Sequence, residues 1–288
     1  GGELLPMSDL DLVFVYDFAE DVTQSDGPKP LGPQVYYLRL CQRLVTAITT
    51  ETGEGALYEV DTRLRPSGKA GALATQLAGF AKYYKLPEGE AWTWEHMALT
   101  RARPVYGSAA LQARLTEVIR TALVQPRDIK KLLVDVDTMR NRIAREFAAK
   151  SEWDVKYRPG GLVDVEFTVQ ALQLAYAAEN PSILSTNTAD ALERLQAAGY
   201  LTEPAFTALR EGLRLWRQVQ AAIRLTAPGG GFDASSALEG QKRALARAAG
   251  VDTFEDLAPR MEIVAQAVRG QYEALIATPA ARYRKDLT

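Results

Sequence analysis

The chain has 288 residues, 47% of them hydrophobic, and its 34 Lys and Arg nearly balance 36 Asp and Glu for a net charge of −2. That length and apolar fraction suit a globular protein of two domains rather than one, and the balanced charge argues against a broad nucleic-acid footprint. No apolar run approaches the roughly 20 residues of a bilayer span and no signal peptide is visible, while the single Cys41 fits a reducing cytoplasm and the single His96 excludes a site needing a His pair and argues against zinc.

Residues 9–16 alternate in strand fashion, so Asp9 and Asp11 share one face while Leu10, Leu12 and Phe14 point to the other, toward a core. Residues 19–32, with Ser25-Asp26-Gly27-Pro28-Lys29-Pro30, form a turn-rich loop. Residues 35–50 read as an amphipathic helix with Tyr36, Leu40, Leu44 and Ile48 spaced by four. Gly53-Glu54-Gly55 breaks the chain before a second acidic strand, Tyr58-Glu59-Val60-Asp61-Thr62-Arg63-Leu64-Arg65-Pro66. Ser67-Gly68-Lys69-Ala70-Gly71 is a flexible turn after it. Short helices follow over residues 76–84 and 88–101, the second carrying Trp92, Glu95 and Leu99 on one side, with the tryptophans read as core.

From about residue 108 the pattern is helical almost throughout, punctuated by Pro126, Arg158-Pro159-Gly160-Gly161, Pro181, Pro204 and Pro228-Gly229-Gly230-Gly231. Pro126 suits the first turn of a helix, and Gly160-Gly161 a helix start that places Asp164 in the first turn, where negative charge is favourable. The expected fold class is α+β: a small domain over residues 1–107 with a mixed sheet and flanking helices, then an all-α bundle over residues 108–288.

The chemistry lies in the two acidic strands. Like charges side by side on a strand repel unless a cation sits between them. If the second strand pairs beside the first, Asp61 adds a third carboxylate to Asp9 and Asp11, a donor set for a hard divalent cation and the phosphates it carries. Arg63 and Arg65 share a face with Asp61, and serve either as phosphate forks or as ion-pair partners of the neighbouring acids. Ser67, Gly68 and Lys69 either offer backbone N–H groups and a cation to phosphates or form a plain surface turn.

An Asp-x-Asp strand after a glycine turn, with a third Asp on a later strand, resembles the DNA polymerase beta superfamily of nucleotidyltransferases. Four longer strings occur in order: Ser8-Asp9-Leu10-Asp11-Leu12-Val13-Phe14-Val15-Tyr16-Asp17, Asp61-Thr62-Arg63-Leu64-Arg65-Pro66-Ser67-Gly68, residues 91–105 from Ala91-Trp92-Thr93-Trp94 to Arg103-Pro104-Val105, and Gly160-Gly161-Leu162-Val163-Asp164-Val165-Glu166-Phe167. Together they resemble the glutamine synthetase adenylyltransferase family, whose members carry an adenylylating and an adenylyl-removing half. Leu99-Thr100-Arg101-Ala102-Arg103-Pro104 and Trp153-Asp154-Val155-Lys156 resemble the C-terminal, adenylylating half.

The resemblance implies ATP as substrate, two Mg2+ ions on the catalytic residues Asp9, Asp11 and Asp61, and nucleotide contacts from Gly1, Gly2, Ser8, Arg63, Arg65, Ser67, Gly68 and Lys69. The family's glycine turn begins before Gly1, so the turn is expected to be incomplete here. Lys156, Asp164 and Glu166 are implied as second-domain contributors, although the helix dipole alone is a sufficient structural reason for Asp164. The implied reaction is transfer of AMP to a tyrosine of glutamine synthetase in the cytoplasm, with the PII signalling protein and glutamine as regulators and no nucleic-acid or membrane partner. The rivals are phosphate-dependent removal of AMP, an RNA nucleotidyltransferase, which the charge disfavours, and a non-catalytic docking module.

Overall fold

A computed structural model of the chain describes residues 2–5, 7–53, 55, 58–227 and 231–286. It divides into two compact units: residues 7–125 form one, and residues 126–288 with residues 1–6 form the other. The architecture is α+β in the first and helical in the second.

In the α+β unit the acidic strands are short. The first splits into β1 (Leu10–Asp11) and β2 (Phe14–Tyr16). Helix α1 (Pro33–Thr49) is the crossover that lets β3 (Val60–Asp61) return parallel to β1, as parallel pairing requires. The register sets Leu10 beside Val60 and Asp11 beside Asp61, fixed by Leu10 N–H to Glu59 O and Leu12 N–H to Asp61 O, both 2.8 Å. β4 (Ala74–Gln76) pairs parallel with β2. The alternation expected of residues 9–14 holds: Asp9, Asp11 and Val13 are exposed, while Leu10, Leu12 and Phe14 are partly covered.

One expected face is reversed. Tyr36, Leu40 and Leu44 are 42%, 48% and 45% exposed, and the inward side of α1 is instead Tyr37 and Cys41. The Tyr37 ring stacks on Tyr16 with centroids 4.5 Å apart, and its hydroxyl donates to Asp17 O at 3.3 Å. Beyond β4 come α2 (Leu77–Tyr83), α3 (Thr93–Leu99) and α4 (Ala109–Leu123). α3 is shorter than the sequence suggests, and Trp92 precedes it and is largely exposed rather than core. α4 packs on α2 and α3, so the first compact unit runs past the change of pattern near Gly107 to Gln125.

The helical unit holds α5 (Ile129–Glu146), α6 (Leu162–Tyr176), α7 (Thr188–Ala197), α8 (Glu203–Thr226), α9 (Glu239–Ala249), α10 (Leu257–Tyr272) and α11 (Thr278–Asp286), the last two joined by a π-helical turn over Glu273–Ala277. Pro126 lies before α5, not in its first turn; Asp128 caps that helix by accepting Lys131 N–H at 3.1 Å. α6 is buried nearly all round against α8 and α10, with Val165, Val169, Leu209, Leu213, Met261 and Val268 in one cluster. Its start requires glycine: Gly160 has φ +71°, and a Cβ there would lie 1.9 Å from Ala265 O. Trp216 Nε1–H donates to Gly160 O at 3.0 Å and fixes the same turn. The N-terminal segment is fastened to this unit by Glu3, whose buried carboxylate accepts Thr188 N–H at 3.0 Å at the start of α7 and pairs with Arg217.

Candidate active site

The parallel register places Asp11 directly beside Asp61, with Asp9 one alternation earlier on the same exposed face. Asp61 turns its carboxylate onto Arg63. Its Oδ1 accepts Arg63 N–H and its Oδ2 accepts Arg63 Nε–H, both at 2.7 Å, and Arg63 Nη2 closes the fork. The Arg63 hydrogen bond holds the Asp61 carboxyl below its usual range, with Lys69 adding a weaker pull. The acids act back on Arg63: its bond to Asp61, then the charges of Asp11 and Asp9, raise the guanidinium. Arg63 therefore supplies the positive charge that the clustered carboxylates need.

The donor set is right in kind for a hard divalent cation. Among the described residues, however, no group of three or more His, Cys, Asp or Glu side chains is arranged to hold a metal ion, consistent with Asp61 facing Arg63.

Arg65 serves the loop that follows. Its Nη1 donates to Thr62 O at 2.7 Å and Thr62 Oγ1 at 3.1 Å, its Nε to Gly71 O at 3.2 Å, and its Nη2 to Lys69 O at 3.4 Å. Arg63 thus pairs with an acid, one of the two roles read from the sequence, whereas Arg65 braces the backbone of the loop, which is neither. The braced loop turns at Ser67, which is left-handed at φ +59° although it carries a side chain, a conformation costing about 1–3 kcal/mol. Gly68 follows at φ +54°, and Gly71 admits no Cβ, which would meet Pro66 O at 2.0 Å. Lys69 at the tip is exposed and within electrostatic reach of Asp61.

Ser8, partly covered, immediately precedes Asp9. Gly1 lies outside the described residues; Gly2 has φ +72° and belongs to the helical unit. Of the implied second-domain residues, Asp164 is fully buried in the first turn of α6. It pairs with Arg140 of α5, accepts Gly160 N–H at 2.6 Å, and has Arg269 of α10 at 3.5 Å. Its carboxylate ties three helices together. Lys156 stands 5.0 Å over the Tyr157 ring, and Glu166 is partly covered on α6.

Two residues without a role in the sequence reading, Tyr83 and Glu95, join the end of α2 to α3. Glu95, buried on α3, accepts Tyr83 Oη–H at 2.8 Å and Trp92 N–H at 2.9 Å. The Trp92-to-Glu95 spacing at a helix start is the sequence signal for the second of these bonds.

Residues 1–118 match the family model described as glutamate-ammonia ligase adenylyltransferase, and residues 127–276 match that described as GlnD PII-uridylyltransferase. Over 274 residues the chain is 41% identical to a bifunctional glutamine synthetase adenylyltransferase/adenylyl-removing enzyme of Rhodopseudomonas palustris (strain BisB5), and 42% identical to one of Bradyrhizobium sp. (strain BTAi1). A protein of the same description from Brucella suis biovar 1 is 41% identical over 280 residues. Each alignment covers 95% of this chain, which spans about 27% of the length of these relatives.

Proposed function

We propose, since the chain belongs to the glutamine synthetase adenylyltransferase family, that it transfers AMP from ATP to a tyrosine of glutamine synthetase and releases pyrophosphate. The observation that carries this reading is the β1–β3 register, which sets Asp11 and Asp61 side by side within reach of Arg63. Asp9, Asp11 and Asp61 would hold magnesium, whose charge would offset that of the triphosphate and of the attacking and leaving oxygens.

The residues themselves divide the remaining work. Arg63, two-thirds exposed, can turn its fork from Asp61 to a phosphate, since guanidinium geometry matches both. Lys69, exposed at the loop tip, adds a second positive charge for the triphosphate; the N–H groups of Gly68, Ala70 and Gly71 are instead taken by carbonyls of the loop itself. The incoming tyrosine hydroxyl, with an ordinary pKa of ~10, attacks the α-phosphorus and its proton passes to solvent water. Asp61, an ionised carboxylate at neutral pH, is a weak proton store; it acts through charge and orientation. The phosphorus–oxygen bond to the β-phosphate breaks as the new one forms.

Magnesium, labelled ATP and unmodified glutamine synthetase test this directly: label should pass to the synthetase. Asp9→Asn and Asp11→Asn should each reduce transfer by about a hundredfold or more, with the melting temperature unchanged. Full transfer by either variant would sink the carboxylate assignment. A second reading rests on the relatives' description as bifunctional. In it, phosphate attacks adenylylated tyrosine and ADP is released; ADP appearing only with adenylylated synthetase and phosphate would favour it. The match of residues 127–276 to a PII-uridylyltransferase model supports the PII protein as a regulator; glutamine as effector and a cytoplasmic setting belong to the same proposal and rest on the family resemblance alone. No helix among the described residues is long and apolar enough to cross a membrane.

A further inference from the structure

The two oxygens of Asp61 do different work. Oδ1 accepts the Arg63 backbone N–H at 2.7 Å, a bond that fixes the direction of the carboxylate at the end of β3. Oδ2 accepts from the Arg63 side chain, Nε–H at 2.7 Å with Nη2 closing the fork. A metal ion on Oδ2 would stand against that guanidinium, and two cations on one carboxylate oxygen repel. The same contact accounts for a mismatch in the site. The register puts Asp61 beside Asp11, yet among the described residues no group of three acids is arranged to hold a metal. The fork is nevertheless easily released. The Arg63 side chain is 66% exposed, so it can leave Asp61 for another anion without disturbing any packing. The turn below it stays braced, because Arg65 Nη1 holds Thr62 O at 2.7 Å. With the side chain gone, the bond from Arg63 N–H to Oδ1 still orients the carboxylate, and Oδ2 is opened for a metal. A triphosphate suits as the competing anion: its oxygens match a guanidinium fork as a carboxylate does, and it carries more charge.

We propose that Arg63 is an inhibitory clasp on the metal site: its fork occupies Asp61 Oδ2 until a nucleotide's phosphates draw it away, so that metal alone is held back and metal with nucleotide is admitted. The proposal rests on the metal and nucleotide reading given above. Arg63 then works against one ligand and for the other. By linkage, the affinity that the clasp withholds from the metal is returned when the nucleotide binds. A residue that merely contacted phosphate would leave the metal affinity of the nucleotide-free protein unchanged, and one that merely braced the turn would not move the two affinities in opposite directions.

Manganese is the probe for the metal, counted as free ion by electron paramagnetic resonance, and a non-hydrolysable ATP analogue is the probe for the nucleotide. Both are titrated into the whole 288-residue chain and into Arg63→Ala, Lys69→Ala, Asp61→Asn and Asp61→Asn/Arg63→Ala, with melting temperatures in parallel. Arg63→Ala should bind manganese alone about two- to fivefold more tightly, the worth of releasing one exposed ion pair. It should bind the analogue with manganese about tenfold more weakly, the loss of a charge-assisted contact. Manganese affinity that is unchanged or weaker, or analogue binding that is undiminished, overturns the proposal. Lys69→Ala removes a positive charge from the neighbouring loop and leaves the fork intact. An equal gain in manganese affinity there would mean that net charge rather than the fork sets it, and the clasp is again wrong. In the Asp61→Asn background Arg63→Ala should add little manganese affinity; a gain as large as in the parent would show that the fork does not act through Asp61. Failure of the underlying reading looks different: if Asp9→Asn and Asp11→Asn bind manganese as the parent does, with and without the analogue, those carboxylates hold no metal and the clasp falls with them.

Discussion

The Asp61–Arg63 pair shows how one contact can be weak for stability and decisive for a site. Arg63 is 66% exposed and Asp61 15%, so solvent screens the pair and its contribution to folding is small. Its effect on titration is still directional. A carboxyl held below its usual range adds stability above its unfolded pKa, and that stability is lost as pH falls through the lower folded value. In an NMR titration Asp61 should therefore show a midpoint below the ordinary ~3.9, and Arg63→Ala should move it upward. A midpoint unmoved by that substitution would mean that Arg63 is not the cause. Asp164 is the opposite case. It and Arg140 are both sealed from water, at 0% and 3% exposure, so Asp164→Ala strands a buried guanidinium. Denaturant unfolding should show a loss of about 3–5 kcal/mol.

Among the elements, those with strong local signals read well from the sequence. The alternation at Asp9, Leu10, Asp11 and Leu12 gave the exposed acidic face, and Gly160-Gly161 gave the start of α6. Local pattern fell short where two neighbouring stripes are both apolar. On α1, Tyr36–Leu40–Leu44 and Tyr37–Cys41 each repeat every four residues, and only the distant Tyr16 ring decides that the second faces inward. The role of Asp164 was hidden for the same reason: Arg140 lies 24 residues away and on another helix. Likewise, the separate tasks of Arg63 and Arg65 depend on loop carbonyls that no spacing rule reveals. The α6–α10 contact offers a sharp check. Gly160→Ala would force a Cβ to within 1.9 Å of Ala265 O at a positive φ. The expected cost is at least about 2 kcal/mol by thermal or denaturant unfolding; a neutral result would mean that this approach is looser than described.

Across the whole molecule the two units are unequal in core. The helical unit buries Trp216, Leu209, Leu215, Leu245, Leu257 and Met261 almost completely. The strands of the α+β unit rest on a small cluster of Tyr16, Cys41 and Ala74. Hydrogen exchange should find the slowest amides in α6 and α8, with those of β1 and β3 exchanging far sooner. Equal protection would contradict this ranking of the cores. The anchoring of Glu3 has a consequence in time as well as in space. Thr188, whose N–H donates to the Glu3 carboxylate, is made 185 residues after Glu3. At roughly 5–20 residues per second, that is a wait of about 10–40 s, during which residues 7–125 are made while the N-terminal segment still lacks its seat. The helical unit can therefore seat the Glu3 segment only once α7 and α8, made long after it, are in place.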